Sequence, residues 1–331
     1  MTARVVLLVT SPRLPAGLLT ASAWDLVREH PVLAGVESEL ATAVRVAGGT
    51  VTLTESPVPD LLATAGVDGT VVWLAGPAGD DRMARELGLR LAREPGLAEL
   101  ELMYGSWDPP GARLLDAVAV MDRLVSPGGD PWKRAQTHAT LAQFLLEECY
   151  EAYDAISAGD LDALREELGD VLLQVVLHAR LAEELPEDER WNVDDVAGGL
   201  VEKMIRRNPH VFADTEVGSI DEIIANWEQI KKTEKARDSA LDGIALAQPA
   251  LSLAAKILHR AERAGLDVPP PLPATPDDEA RLGARLLDVV VEARAAGLDA
   301  EAALRRAALT YADAVRAVET TTGSATASGT A

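Results

Sequence analysis

A chain of 331 residues with 48% hydrophobic and 25% charged residues has the length for two or three packed domains and the composition of a water-soluble globular protein. Its formal net charge of −22 argues against duplex binding, which rests on Lys and Arg neutralising phosphates, so no nucleic-acid partner is expected. One cysteine, Cys149, excludes an internal disulfide, and no apolar run approaches the ~20 residues of a membrane span.

The first 115 residues read as a small α/β domain. Short β-branched runs at Val5–Val9, Val51–Thr54 and Val71–Leu74 alternate with helical stretches at Val36–Ala47 and Arg82–Ala92, the pattern of a small parallel or mixed sheet. The run at Val5–Val9 ends at Thr10-Ser11-Pro12, too short for the apolar region of a signal peptide, so a cytoplasmic location is expected. No complete glycine-rich phosphate loop is present; Gly76-Pro77-Ala78-Gly79 is a turn.

Residues 116–245 read as all helical, so the chain as a whole is expected to be mainly α. A first helix spans Thr137–Ile156, with Gly159 suited to a C-terminal cap and Asp160 to the N-cap of the next. The second runs from Leu161 to about Glu184, before Pro186. Two more lie near Val193–Arg207 and Ser219–Lys235, and short loops between long helices predict an antiparallel bundle. A proline-rich linker covers 267–278, helix resumes over Glu279–Glu319, and the small polar stretch 320–331 is expected to be disordered.

An internal repeat joins the two helical regions. Leu168-Gly169 and Leu172-Leu173, with Val175-Val176 and Ala179-Arg180, recur as Leu282-Gly283, Leu286-Leu287, Val289-Val290 and Ala293-Arg294 at a constant offset of 114. Residues 246–319 therefore read as a second copy of the helical unit. Arg281 and Ala284 stand where the first copy has Glu167 and Asp170, so this copy is expected to bind neither metal nor substrate and to serve packing or dimerisation.

The chemistry lies in the first copy. Glu148 with Glu151, and Glu167 with Asp170, are three residues apart, which puts each pair on one helix face with ~5–6 Å between Cβ atoms. A solvated acidic surface is the plain alternative. Against it, Glu148 borders an apolar stripe through Leu141, Leu145, Ala152 and Ile156. The second helix is apolar almost all round, apart from a polar stripe of Glu167, Asp170, Gln174 and His178. Four carboxylates converging from antiparallel helices would repel one another unless a cation joined them, and an oxygen-only set suits Mg²⁺. A ferritin-like di-iron site is disfavoured because none of these glutamates has a His three residues later.

Glu147-Glu148-x-x-Glu151 followed by Glu167-x-x-Asp170 resembles the paired motif of the MazG family of all-α nucleoside triphosphate pyrophosphohydrolases. Pro131-Trp132, Gln136-Thr137, Gly169-Asp170-Val171-Leu172-Leu173-Gln174, Arg206-Arg207-Asn208-Pro209-His210-Val211-Phe212 and Trp227-Glu228-Gln229-Ile230-Lys231 extend the likeness over about residues 116–245. Asp130 departs from the Cys common there.

The resemblance implies an all-α bundle and a homodimer. It implies that Glu148, Glu151, Glu167 and Asp170 ligate Mg²⁺, with Mn²⁺ able to take its place, and that Glu147 contacts water or substrate. It implies hydrolysis of a nucleoside triphosphate to monophosphate and pyrophosphate, in a nucleotide-pool house-cleaning role. Lys203, Arg206 and Arg207 are assigned to the phosphates; Trp132, Trp227 and Lys231 are further candidate substrate contacts, each tryptophan being equally readable as core. His138 and His178 read as ordinary helix-face histidines. A non-catalytic nucleotide-binding module is the alternative. The N-terminal region resembles part of a tetrapyrrole methylase-like domain, without a complete S-adenosylmethionine site, so methyl transfer is not expected.

Overall fold

The computed structural model describes residues 2–76, 79–213, 217–234, 239–266, 268–269 and 278–327. Its elements fall into two compact units, 1–201 and 202–331, the division lying inside a helix.

The first unit opens with alternating strands and helices: β1 Arg4–Val9, α1 Ala21–Glu29, β2 Val32–Ala34, α2 Glu39–Val46, β3 Val51–Leu53, α3 Pro57–Ala65, β4 Thr70–Leu74, α4 Asp81–Arg93 and β5 Glu99–Tyr104. The strands form one parallel sheet in the order β3-β2-β4-β1-β5, with Val5 opposite Val71 and Leu100. A parallel sheet needs cover on both faces, and the alternation of β1 supplies both. Val5 and Leu7 pack with Val71, Trp73, Leu61 and Leu87 beneath α3 and α4. Val6 and Leu8 pack with Val72, Leu74, Val27 and Val44 beneath α1 and α2. Each such side chain is worth roughly 1.5–3 kcal/mol of burial.

Beyond the sheet come α5 Arg113–Val125, α6 Pro131–Arg134, α7 His138–Ala158 and α8 Leu161–Ala182. Leu141 of α7 and Val176 and Leu177 of α8 meet Met121 and Val125 of α5, with Phe144, Leu172 and Leu173 packed around them. Arg180 of α8 pins α5 by donating to Asp122 at 2.7 Å.

The second unit holds the end of α9 Val193–Arg207, then α10 Pro209–Phe212, α11 Ile220–Glu234, α12 Ala250–Arg263, α13 Asp278–Ala295 and α14 Ala300–Ala327, with α12, α13 and α14 packed on one another.

The expected elements are all present, and β2, β5, α1, α3, α5, α6, α10 and α12 join them. The helix expected over 279–319 is two helices. Gly297, at φ +70°, breaks it, and Asp299 restarts it by accepting a hydrogen bond from Ala302 N at 3.0 Å. Helix α14 continues to Ala327, where the sequence suggested a disordered tail from 320; residues 328–331 and most of the proline linker lie outside the described residues. Helix α8 is not buried all round, since Leu168 and Val175 are exposed, and Ile156 drops out of the apolar stripe of α7 at 60% exposure. No helix among the described residues is long and apolar enough to cross a membrane.

Candidate active site

The α7/α8 hairpin is built by its caps. Thr137 accepts from Thr140 N at 3.2 Å, and the Thr140 hydroxyl accepts from Thr137 N at 2.9 Å, a reciprocal cap at the start of α7. Helix α7 ends at Gly159, left-handed at φ +70° and ψ 20°. Asp160 then accepts from Asp162 N and Ala163 N to start α8. With two residues between them, the helices run antiparallel, and apolar contacts of Leu141, Ala152, Val176 and Leu177 hold them.

This packing turns Glu148 and Glu151 of α7 toward Glu167 of α8. One carboxylate oxygen from each lies within 4.8 Å of the other two. Asp170 stands outside that group of three, one turn beyond Glu167, but its charge acts on both Glu148 and Glu167. Partial burial raises the Glu148 carboxyl above its ordinary range, and repulsion from Asp170 and Glu151 adds to the rise. Glu167 is raised too, by burial and then by Glu151 and Asp170. Glu147 is exposed on the outer side of α7 and adds further repulsion at Glu148.

These groups carry an unfavourable concentration of negative charge. Among the described residues no Lys or Arg forms an ion pair with any of them. An oxygen-only donor set of this kind suits a hard divalent cation, and the residues present fit one.

The polar stripe of α8 continues inward. Gln174 is 3% exposed, and its Oε1 and the His178 Nε2 are buried without a hydrogen-bond partner among the described residues. The Nδ1 atoms of His178 and His138 approach to 2.7 Å, with the rings stacked 5.0 Å apart and Trp191 stacked beyond His138. Burial, then the neighbouring His138, pushes His178 below the usual imidazole value. Trp132 is half exposed and meets Phe144 edge-on at 5.7 Å.

The basic candidates lie in the second unit, where Arg206 and Arg207 engage a partner that the sequence did not single out. Arg206 Nε donates to Glu234 Oε1 at 2.8 Å, and Arg207 grips both oxygens of the same carboxylate through Nε at 3.1 Å and through a terminal nitrogen. The Arg207 guanidinium also lies 5.5 Å from the centre of the Trp227 ring. The side chains of Arg207 and Glu234 are 15% and 13% exposed, so Arg207 is a fixed fork while Arg206 remains half exposed. Arg207, helped by Arg206, holds the Glu234 carboxyl down at about 2. Lys203 has no ion pair among the described residues. Lys231 follows Trp227 by one turn on α11. No local pattern announces Glu234, because its partners are 27 and 28 residues away in sequence.

The MazG nucleotide pyrophosphohydrolase domain matches residues 136–212, the segment that holds all the clustered carboxylates. A Thermotoga maritima protein named nucleoside triphosphate pyrophosphohydrolase/pyrophosphatase MazG is 37% identical over 222 residues, 62% of this chain and 84% of its own length. The chain belongs to the MazG family.

Within that family, an uncharacterised 26.1 kDa protein of Streptomyces cacaoi is 48% identical over 73% of this chain and 96% of its own length. A Mycolicibacterium smegmatis nucleoside triphosphate pyrophosphohydrolase is 47% identical over 63% of this chain. The chain spans 60% of that mycobacterial relative. Among solved structures, a MazG-related protein from Thermotoga maritima is 29% identical and covers 36% of this chain, with a TM-score of 0.30.

Proposed function

We propose that this MazG-family chain hydrolyses nucleoside triphosphates, ribose or deoxyribose, at the α–β phosphoanhydride, giving a monophosphate and pyrophosphate and clearing unwanted nucleotides from the pool. The observation that carries the reading is the group of Glu148, Glu151 and Glu167 oxygens within 4.8 Å, placed between two helices without a cationic partner among the described residues.

Glu148, Glu151, Glu167 and Asp170 are assigned as holders of Mg²⁺, or of Mn²⁺ in its place. Held by these carboxylates, such an ion would supply positive charge to offset the charge that develops on the phosphates and would acidify the attacking water. The protein's own part is to hold Glu148, Glu151 and Glu167 together with Asp170 beside them, although packing opposes deprotonation of Glu148 and Glu167 until positive charge arrives. Glu147 is assigned to water or substrate, and Trp132, Trp227 and Lys231 to substrate contacts. Lys203, Arg206 and Arg207 are assigned to the phosphates, where the fixed fork of Arg207 favours planar, bidentate contact.

A homodimer completes the proposal. Leu146, Tyr150, Tyr153, Ile156 and Leu168 leave apolar surface on α7 and α8 exposed in the single chain, and a second copy would cover it. Light scattering on purified protein decides the stoichiometry.

The decisive experiment is a panel of ordinary and damaged nucleoside triphosphates incubated with and without Mg²⁺. Pyrophosphate is detected as phosphate after added pyrophosphatase. Metal-dependent pyrophosphate release is expected; nucleotide binding without turnover would leave the chain a binding module.

A further inference from the structure

We propose that the second copy carries a metal-free binding site for a small polyphosphate anion, in the cleft where α12, α13 and the start of α14 meet. The cleft has a volume of about 340 Å³, within the range of small-molecule sites. Its polar lining is Ser252, Lys256 and His259 from α12, Arg294 from α13 and Asp299 just before α14, with Val290 and Leu298 among its apolar lining. Lys256 and His259 are three residues apart and share a helix face, so both side chains reach the same space.

Arg294 is positioned before any ligand arrives. Its two terminal nitrogens donate to Ala255 O at 3.2 Å and to Glu262 Oε2 at 2.7 Å, which fixes the plane of the guanidinium at the cleft wall. A guanidinium held in this way keeps further N–H groups for an oxyanion. The cleft also receives the N-terminus of a helix running Ala300–Ala327, whose dipole favours negative charge. The one acid of the lining, Asp299, is engaged in capping that helix. In a chain of net charge −22, a lysine, a histidine and an arginine converging on one hollow are against the average. The set has no carboxylate cluster of the kind that holds Mg²⁺, so the anion would come without its metal. The loss of the metal-site acids from this copy, read from the sequence, is compatible with such a role.

The proposal stands apart from the pyrophosphohydrolase reading, and its test keeps the two separate. Full-length protein in EDTA is titrated with inorganic pyrophosphate in one arm and ATP in the other, by calorimetry at low and high salt. Saturable binding is expected in at least one arm, weakening as salt rises. Whichever probe binds more tightly distinguishes a free from a nucleotide-borne polyphosphate. Lys256→Glu with His259→Gln, both changes on residues that leave the Arg294 contacts intact, should weaken binding at least about tenfold, which is about 1.4 kcal/mol. Arg90→Ala, which removes an exposed cation of α4 paired only with Glu94, should leave it unchanged, and the helical circular dichroism of each variant reports on folding. No saturable binding in either arm, or equal binding in the Lys256/His259 variant, overturns the proposal.

Discussion

The hairpin α7/α8 and the pair α12/α13 are two versions of one piece of sequence, and they differ where chemistry would occur. At the offset of 114, Val176 corresponds to Val290, and both are buried. The polar positions diverge. Glu148 corresponds to Glu262, Glu151 to Gly265, Glu167 to Arg281 and Asp170 to Ala284. The surviving acid has changed its partner: Glu262 is neutralised by Arg294, whereas Arg180, the counterpart of that arginine, turns to Asp122, and Glu148 is left among carboxylates. Helix α7 continues through Ala158, but α12 stops at Arg263, so the place of Glu151 falls in a glycine turn. An apolar scaffold survives loss of its site because burial and charge are carried by different faces.

The sharpest way to break this comparison is to strip the first copy of the charges the second has lost. Glu148→Gln or Asp170→Asn should lower pyrophosphate release at least about a hundredfold, since groups that only support metal ligands already cost ten- to a hundredfold. The helical signal should persist. Retention of full activity by either variant would remove the assigned site, whereas Arg281→Ala in the second copy should leave turnover unaltered.

Metal should also act on stability, and only through the first copy. Glu148 and Glu167 have raised values in the fold, so the folded state holds their protons more tightly than the unfolded chain. Without metal, stability then declines as pH rises above the ordinary carboxylate value of 4.5 through the raised ones. Adding Mg²⁺ at neutral pH should raise the melting temperature by several degrees, following a stabilisation of about 2.7 kcal/mol at a hundred times Kd. Thermal scans in EDTA and in Mg²⁺ measure this. A shift that persists undiminished in Glu148→Gln would place the ion elsewhere.

Glu234 offers the opposite sign. Its value of about 2 lies below the ordinary 4.5, so its pairing with Arg207 and Arg206 stabilises the fold above about pH 4.5 and is lost as pH falls toward 2. Site-resolved NMR titration of Glu234 should follow a midpoint near 2 in the native chain and move upward in Arg207→Met. An ordinary midpoint in the native chain would contradict the fork.

Much of the site was legible because its signals are local. The spacing of Glu148 and Glu151, the helix start near Thr137 and the Gly159-Asp160 break each depend on a few consecutive residues, and the sequence places them within a residue or two. Elements that depend on distant partners were not legible. Strand β2 has three residues, too few for a period, and owes its strand to pairing with β3 and β4 on either side. Strand β5 alternates Glu99-Leu100-Glu101-Leu102, and its backbone pairs with β1, nearly a hundred residues earlier. The three-acid cluster could be expected from two helical spacings and an antiparallel turn, whereas the hold of Glu234 on Arg207 depends on how α9 and α11 come together.

The smallest test compares the glycine turns that end α7 and α12, which occupy different places in the repeat. Gly159 and Gly265 lie at φ +70° and +69°, and a Cβ added at either would meet nothing within 4 Å. In both, the following residue closes the helix in the same way: Asp160 N donates to Ala155 O and Leu266 N to Ala261 O, each at 3.0 Å and five residues back. With no steric contact, Gly→Ala at either position should carry only the backbone cost of a left-handed L-residue, about 1 kcal/mol, partly offset by a less flexible unfolded chain. Each should lower the midpoint of its own unit's unfolding by a few degrees at most in a thermal scan. At Gly159 the turn also sets the angle between α7 and α8, so Gly159→Ala should raise the Mg²⁺ concentration needed for half-maximal turnover, whereas Gly265→Ala should not. Equal effects on metal dependence would mean that the hairpin geometry is held by the Leu141–Leu177 packing alone, and that the glycine turn ends α7 without supporting the carboxylates.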